Sequence, residues 1–206
     1  MPLLIDDYIT GFSDAFPAQH AAMPWEVAKE LTGILQEMIR HLDDSYIVQE
    51  GVAVHRSATV AESVVLKAPV IISENCFVGA NACLRGGVYL GKGTTVGTGC
   101  EVKTTLVLHN SAIAHFNFVG DSLIGSNVNF EAGSIVANHY NERADKHIRV
   151  VVNGKSIAPH AVKFGALVGD NCKIGANAVL SPGTILERNS VVRRLELVEQ
   201  LVPGEG

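Results

Sequence analysis

Every sixth residue from Val48 to Leu108 is Val, Leu or Ile: Val48, Val54, Val60, Leu66, Ile72, Val78, Leu84, Leu90, Val96, Val102 and Leu108. The register resumes as Ile124, Phe130 and Val136, and again as Val168, Ile174, Leu180, Leu186 and Val192. A helix repeats at about 3.6 residues and a strand at about 2, so a period of six is neither. It fits short strands joined by turns and wound into a triangular coil of about 18 residues, three hexads to a coil. Successive coils then stack at the strand spacing, roughly 4.8 Å. The sequence therefore predicts an all-β fold, a parallel β-helix of hexapeptide repeats, with the periodic aliphatics inside the prism.

Two further regularities support this architecture. Glycine often follows the aliphatic, as "VG" at 78, 96 and 168, "LG" at 90 and "IG" at 124 and 174, where it permits a tight turn. Four residues past the aliphatic the side chain is usually small: Ala58, Cys76, Ala82, Thr94, Cys100, Ala112, Ser134, Cys172, Ala178, Thr184 and Ser190. Three of the four cysteines are thereby expected to be inward-facing small apolar residues rather than reactive thiols.

Residues 1–45 follow a different rule. "PWEVAKELTGILQEMIRHL" places Val27, Leu31, Ile34, Leu35, Met38 and Leu42 on one helical stripe, with Pro24 at a first helical position. A shorter helix is expected around Ile5 to Phe16, ended by Pro17. This cap is expected to cover one end of the coils. The division is thus a helical cap at 1–45, a β-helix at 46–195 and a tail at 196–206. The coils are interrupted twice. The register slips between Phe116 and Ile124, and "NHYNERADKHIRV" at 138–150 is too polar to line a prism and should loop out.

Charge and composition narrow the function. A formal net charge of −5 argues against binding a nucleic-acid backbone. No apolar run approaches the roughly 20 residues of a membrane helix. The opening "MPLLIDDYITGFSDAF" has acids where a secretory leader carries bases. The cysteines show no CxxC pairing, which fits reduced thiols. A cytoplasmic protein with no membrane or nucleic-acid partner is expected.

Chemistry concentrates in "KTTLVLHNSAIAHFNFVGDS", residues 103–122, which holds Lys103, His109, His115 and Asp121. Lys103 lies 103 − 85 = 18 residues after Arg85, one full coil, so the two cations stack on one face. An anion between them, or local acids such as Glu101, would relieve their repulsion. The imidazole of His115 suits a general base near neutral pH. Zinc is the rival, with His109, His115, His139 and His147 as candidate ligands. His109 and His115 are one hexad apart and fall on different faces, which is poor geometry within one chain.

The segments "CLRGGVYLGKGTTVGTGCEVK" and "AHFNFVGDSLIGSNVNFEAGSIVANHY", with Lys146, carry a family resemblance. They resemble the acetyltransferase domain of bifunctional bacterial N-acetylglucosamine-1-phosphate uridylyltransferase and glucosamine-1-phosphate acetyltransferase. They are also similar to the β-helix domains attached to related sugar-1-phosphate nucleotidylyltransferases. The resemblance covers most of the chain, without a nucleotidyl-transferring domain. It implies a left-handed coil, a homotrimer, and transfer of an acetyl group from acetyl-CoA, without a metal, to an amino-sugar phosphate or nucleotide amino sugar. It puts the sugar-phosphate contacts on Arg85 and Lys103, the catalytic base on His115, and the family's two asparagines on Asn129 and Asn138. A further lysine falls on Lys146. On chemical grounds, backbone N–H groups of a coil turn near Ala132 and Gly133 could stabilise the oxyanion that develops from the acetyl-CoA thioester. Two departures change the site's chemistry: a family tyrosine is Phe118, and a glycine of the pattern is Glu131, which could hold the imidazole or the substrate. The tail "LVPGEG" has no basic extension for CoA phosphates. A non-catalytic trimer binding a sugar nucleotide, or acting as a scaffold, is the alternative.

Overall fold

The computed structural model describes residues 3–152 and 154–199, and the tail "LVPGEG" lies outside them. The chain winds into a triangular β-helix. One sheet of seven strands forms one face, and a twelve-stranded sheet bends around a corner to supply the other two. In chain order, the first face stacks Val70–Ile72 on the end of Cys83–Leu90 and continues through Val168 and Leu186. The second face carries Phe77–Val78, Thr95–Val96, Ala112–Ile113 and Asn129–Phe130. The third stacks Val65, Cys83, Glu101, Phe118, Ile135, Val179 and Leu197 in one outward column.

The periodic aliphatics form the prism interior, with Val78, Leu84, Leu90, Val96, Val102, Ile124, Phe130 and Val136 all fully buried. Cys76, Cys100 and Cys172 join them, and desolvation raises all three thiols above the ordinary cysteine range. Polar side chains at the small inward positions are satisfied inside the prism. Thr94 donates to the Leu108 carbonyl at 2.9 Å, and Asn117 donates to Glu131 O, Ser134 O and Ser134 Oγ.

Three register expectations are corrected. Val48 is not an inward residue. It pairs with Ala53 in an antiparallel hairpin turned by Glu50 and Gly51, both at positive φ, and it is exposed. Leu108 does not line the prism either. Leu90 pairs with Val107 and Val107 with Ile124, so these coils are 107 − 90 = 17 and 124 − 107 = 17 residues long. The residue that is missing relative to an 18-residue coil is the one that bulges between Arg85 and Val88 in the strand above. Val107 and Ser111 consequently take the interior places expected for Leu108 and Ala112, and Leu108 joins the outer core. The expected slip before Ile124 is present, as the step from Val119 to Ile124.

The helical cap does not close an end of the prism. It lies along the first face. The helix Pro24–Ile39 packs on the strands that carry Ile71, Tyr89, Leu106 and Leu123, and its Val27, Leu31 and Leu35 share one buried outer core with Ile71, Leu106, Leu123, Leu167 and Ile185, which project outward from the coils. Five coils offering aliphatics on one outer face make that flank the larger apolar surface. The preceding segment holds two 3-10 turns and the short helix Phe12–Ala15. It reaches the lower coils, where Thr10 N donates to Asp170 at 2.8 Å and Arg188 donates to the Tyr8 and Asp6 carbonyls.

The excursion expected at 138–150 is longer. The chain leaves the coils after Ile135–Val136 and returns at Ala166–Val168. It contains an antiparallel hairpin, Val150–Val152 with Lys155–Ile157. Tyr140, Ile148, Val150 and Phe164 are buried in the same outer core as the helix, and Phe164 meets Trp25 edge-on at 6.0 Å. Among the described residues, the insertion and the cap therefore cover the first face together and leave the other two open.

Two outcomes follow from this packing. Leu31→Ala removes a fully buried anchor of the cap and should cost about 2–5 kcal/mol, read as a lowered urea midpoint. A thiol-reactive disulfide at mild pH should label at most Cys83, which is partly exposed, and reach the other three only in denaturant.

Candidate functional site

The expected site residues fall into two groups, at opposite corners of the third face. The first group occupies the corner where the third face turns into the first. Arg85 pairs with Lys103, and Lys103 with Gly120, so these positions stack in three consecutive coils. Lys103 Nζ meets Asp121 Oδ2 at 2.7 Å, with 18% and 11% of the two side chains exposed. The Asn138 amide donates to the same Asp121 oxygen, and its own Oδ1 lies 3.0 Å from His139 Nδ1. Gly120 makes this crowding feasible: a Cβ there would stand 2.8 Å from the Phe118 ring and 2.9 Å from Asn138 Nδ2. Arg85 pairs with Glu101 at 2.6 Å. Both stacked cations thus have protein carboxylates as partners, and the corner made by Arg85, Lys103, Glu101 and Asp121 carries no net formal charge.

The second group occupies the corner between the second and third faces. His115 is exposed, its ring lies over Gly97, and among the described residues that ring has no hydrogen-bond partner. Phe116 beside it is 71% exposed at φ 54°. Asn129 is exposed on the second face, opposite Ala112 and Lys173. Glu131 is engaged by its own chain. It accepts from Ala176 N and binds Arg194 at 2.9 Å. Those donors, the Arg194 guanidinium foremost, hold its carboxyl down at about 2. The Gly133 N–H is also committed, donating to the His115 carbonyl at 2.9 Å, whereas the Ala132 N–H makes no hydrogen bond among the described residues. Asn129, Glu131, Lys173 and Arg194 line a shallow groove of about 260 Å³.

Within one chain, the strand that starts at Phe118 separates His115 from Lys103 and Asn138. Lys146 is exposed on the insertion, away from any described carboxylate partner. His109, His115, His139 and His147 do not converge, and among the described residues no three His, Cys, Asp or Glu side chains gather closely enough to hold a metal ion. No helix among the described residues is long and apolar enough to cross a membrane. Asp121 was not among the expected contacts. Its spacing from Lys103, 121 − 103 = 18, is one more than the 17-residue coil here, so it sits one position past Gly120, the residue paired with Lys103.

Coils, corners and repeat together define a hexapeptide-repeat β-helix protein. Residues 69–104 match a family model of bacterial transferase hexapeptides (six repeats), and residues 166–193 match the hexapeptide repeat of succinyl-transferase. Among curated proteins, the chain is 38% identical over 90 residues to the bifunctional protein GlmU of Methanococcus maripaludis, covering 44% of this chain and 21% of that one. It is 38% identical over 82 residues to a bifunctional sugar-1-phosphate nucleotidylyltransferase/acetyltransferase of Sulfurisphaera tokodaii, covering 39% and 20%. The chain therefore spans about a fifth of the length of these relatives. A solved hexapeptide transferase family protein of Anaplasma phagocytophilum is similar at 19% identity and a TM-score of 0.43, over 75% of this chain and 82% of that one.

The Glu131–Arg194 pair sets a pH expectation. A depressed carboxyl contributes its stability fully above the ordinary value of 4.5 and loses it as pH falls toward about 2. Arg194→Ala should return the Glu131 carboxyl toward 4.5, measured by carbon NMR titration.

Proposed function

We propose that the chain is a cytoplasmic, acetyl-CoA-dependent N-acetyltransferase of an amino-sugar phosphate or nucleotide amino sugar, and that it works as a homotrimer. One observation carries this reading. The general-base candidate and the sugar-phosphate contacts lie at opposite corners of the same open face. A closed ring of three chains would set the His115 corner of one subunit against the Lys103–Asn138 corner of its neighbour. Val65, Ile135 and Leu197 stay exposed on that face, at 46%, 38% and 59%, and give it apolar surface to bury. The relatives named as sugar-1-phosphate nucleotidylyltransferase/acetyltransferase support the substrate class.

The chemistry needs no covalent enzyme intermediate. The substrate ammonium releases one proton to solvent, the free amine attacks the thioester carbonyl, and His115 takes the second proton from the attacking nitrogen. The tetrahedral intermediate collapses with loss of the CoA thiolate, which receives the proton from His115. The developing oxyanion requires a donor. Gly133's N–H already serves His115, so the Ala132 N–H is the assigned candidate. Arg85, Lys103, Asn138 and Lys146 hold the acceptor, with Phe118 against the sugar. Asn129 orients the reacting groups. Glu131 acts through Arg194 and the coil below, not as a free substrate contact.

A binding-only trimer is favoured by one feature, the carboxylate partners that both stacked cations already have. Thiol release from acetyl-CoA with glucosamine-1-phosphate and related amino-sugar phosphates separates the two. The enzyme reading predicts release with at least one acceptor, and His115→Ala should lower kcat/KM by about 10²–10⁴-fold. No release with any acceptor would leave binding alone.

A further inference from the structure

The corners of this β-helix follow a conformational rule that breaks in a restricted place. From Asn75 onward most turns put a residue at positive φ, where glycine and asparagine are cheapest. From Asn75 on, the first–second corner obeys, with Asn75, Gly93, Asn110, Asn127, Asn171 and Asn189. The other two corners depart from it at Thr104, Phe116, Asp121 and Leu195. Three of the four belong to the two coils that carry Lys103 and His115. Side chains kept in a costly backbone region are kept for what they do there.

Asp121 departs with the most to show for it. Asparagine would suit φ 48° at least as well, so the backbone does not explain the carboxylate. The residue is 8% exposed, yet its Oδ2 receives both the Lys103 ammonium and the Asn138 amide. Its backbone carbonyl accepts from Gly165 N at 2.9 Å, which ties the return of the insertion to the same point. The Asn138 amide is thereby fixed at both ends, its nitrogen on Asp121 and its oxygen toward His139. A charge-assisted acceptor holds such donors about twice as strongly as a neutral one.

Accepting the acetyltransferase reading, we infer that Asp121 is a positioning residue that orients Asn138 and Lys103 for turnover while offsetting the charge Lys103 presents to an acceptor phosphate. The two effects have opposite signs. Loss of the carboxylate loosens Asn138, which slows reaction. It also uncovers Lys103, which favours an anion. General structural damage would weaken both binding and turnover.

The variant is Asp121→Asn, which preserves size and suits the backbone. Three measurements are made: turnover, calorimetric binding of glucosamine-1-phosphate without CoA, and the side-chain amide NMR signals of Asn138, identified by their loss in Asn138→Asp. The expected result is a fall in kcat of about tenfold or more. Acceptor affinity should be unchanged or tighter, and the Asn138 signals should move while those of Asn171 and Asn189 stay. A kcat within about twofold of wild type, or weakened binding together with a lowered melting temperature, would overturn the inference. Unmoved Asn138 signals would overturn it with no ligand needed. Failure of the acetyltransferase reading itself looks different, as a wild-type protein that releases no thiol with any acceptor.

Discussion

The stacking of each inward aliphatic on the one a coil below fixes everything else in this molecule. Val78 on Val96, Leu84 on Val102 and Ile124 on Val168 set the register of every strand. Because the strands are parallel and side chains alternate, one residue of slip would turn an inward column outward. The same stacking lines up the outward positions. Arg85, Lys103 and Gly120 form a column because Leu84, Val102 and Val119 form one. The chemistry at the corners is thus a by-product of core register, and residues far apart in sequence meet whenever they differ by a whole coil.

Much of this was legible in the sequence because the period is imposed by the core. The aliphatics from Val54 to Val102 and from Ile124 to Val192 sit where the step of six puts them. The failures share a cause: a period fixes spacing but not direction or local length. Val48 keeps the six-residue step through a hairpin that runs antiparallel. Leu108 and Ala112 were displaced by a coil one residue short, since a bulge at Gly86–Gly87 is invisible to a six-residue ruler. The cap's amphipathic stripe was plain, but its destination required knowing that Ile71, Leu106, Leu123 and Leu167 share one outer face. The insertion's polar start concealed Phe164 and Val150, which pack beside that helix.

The site was half legible. Arg85 and Lys103 stack as their spacing requires, but Glu101 and Asp121 engage them. Glu131 is bound to Arg194, a partner 63 residues on that only the coil below could supply. The larger lesson concerns His115. Each hexad turns one corner, so residues six apart never share one. Lys103, His109 and His115 occupy three different corners, and only the next step, to Asp121, returns to the first.

That geometry makes the shared site the central claim, and mixed oligomers of His115→Ala and Asn138→Ala test it. Each variant alone should be inactive. If every site draws His115 from one subunit and Asn138 from its neighbour, random reassembly of equal amounts restores wild-type pairs at roughly a quarter of sites. The predicted result is about a quarter of wild-type turnover after mixed refolding. A mixture no more active than its parents would contradict the account.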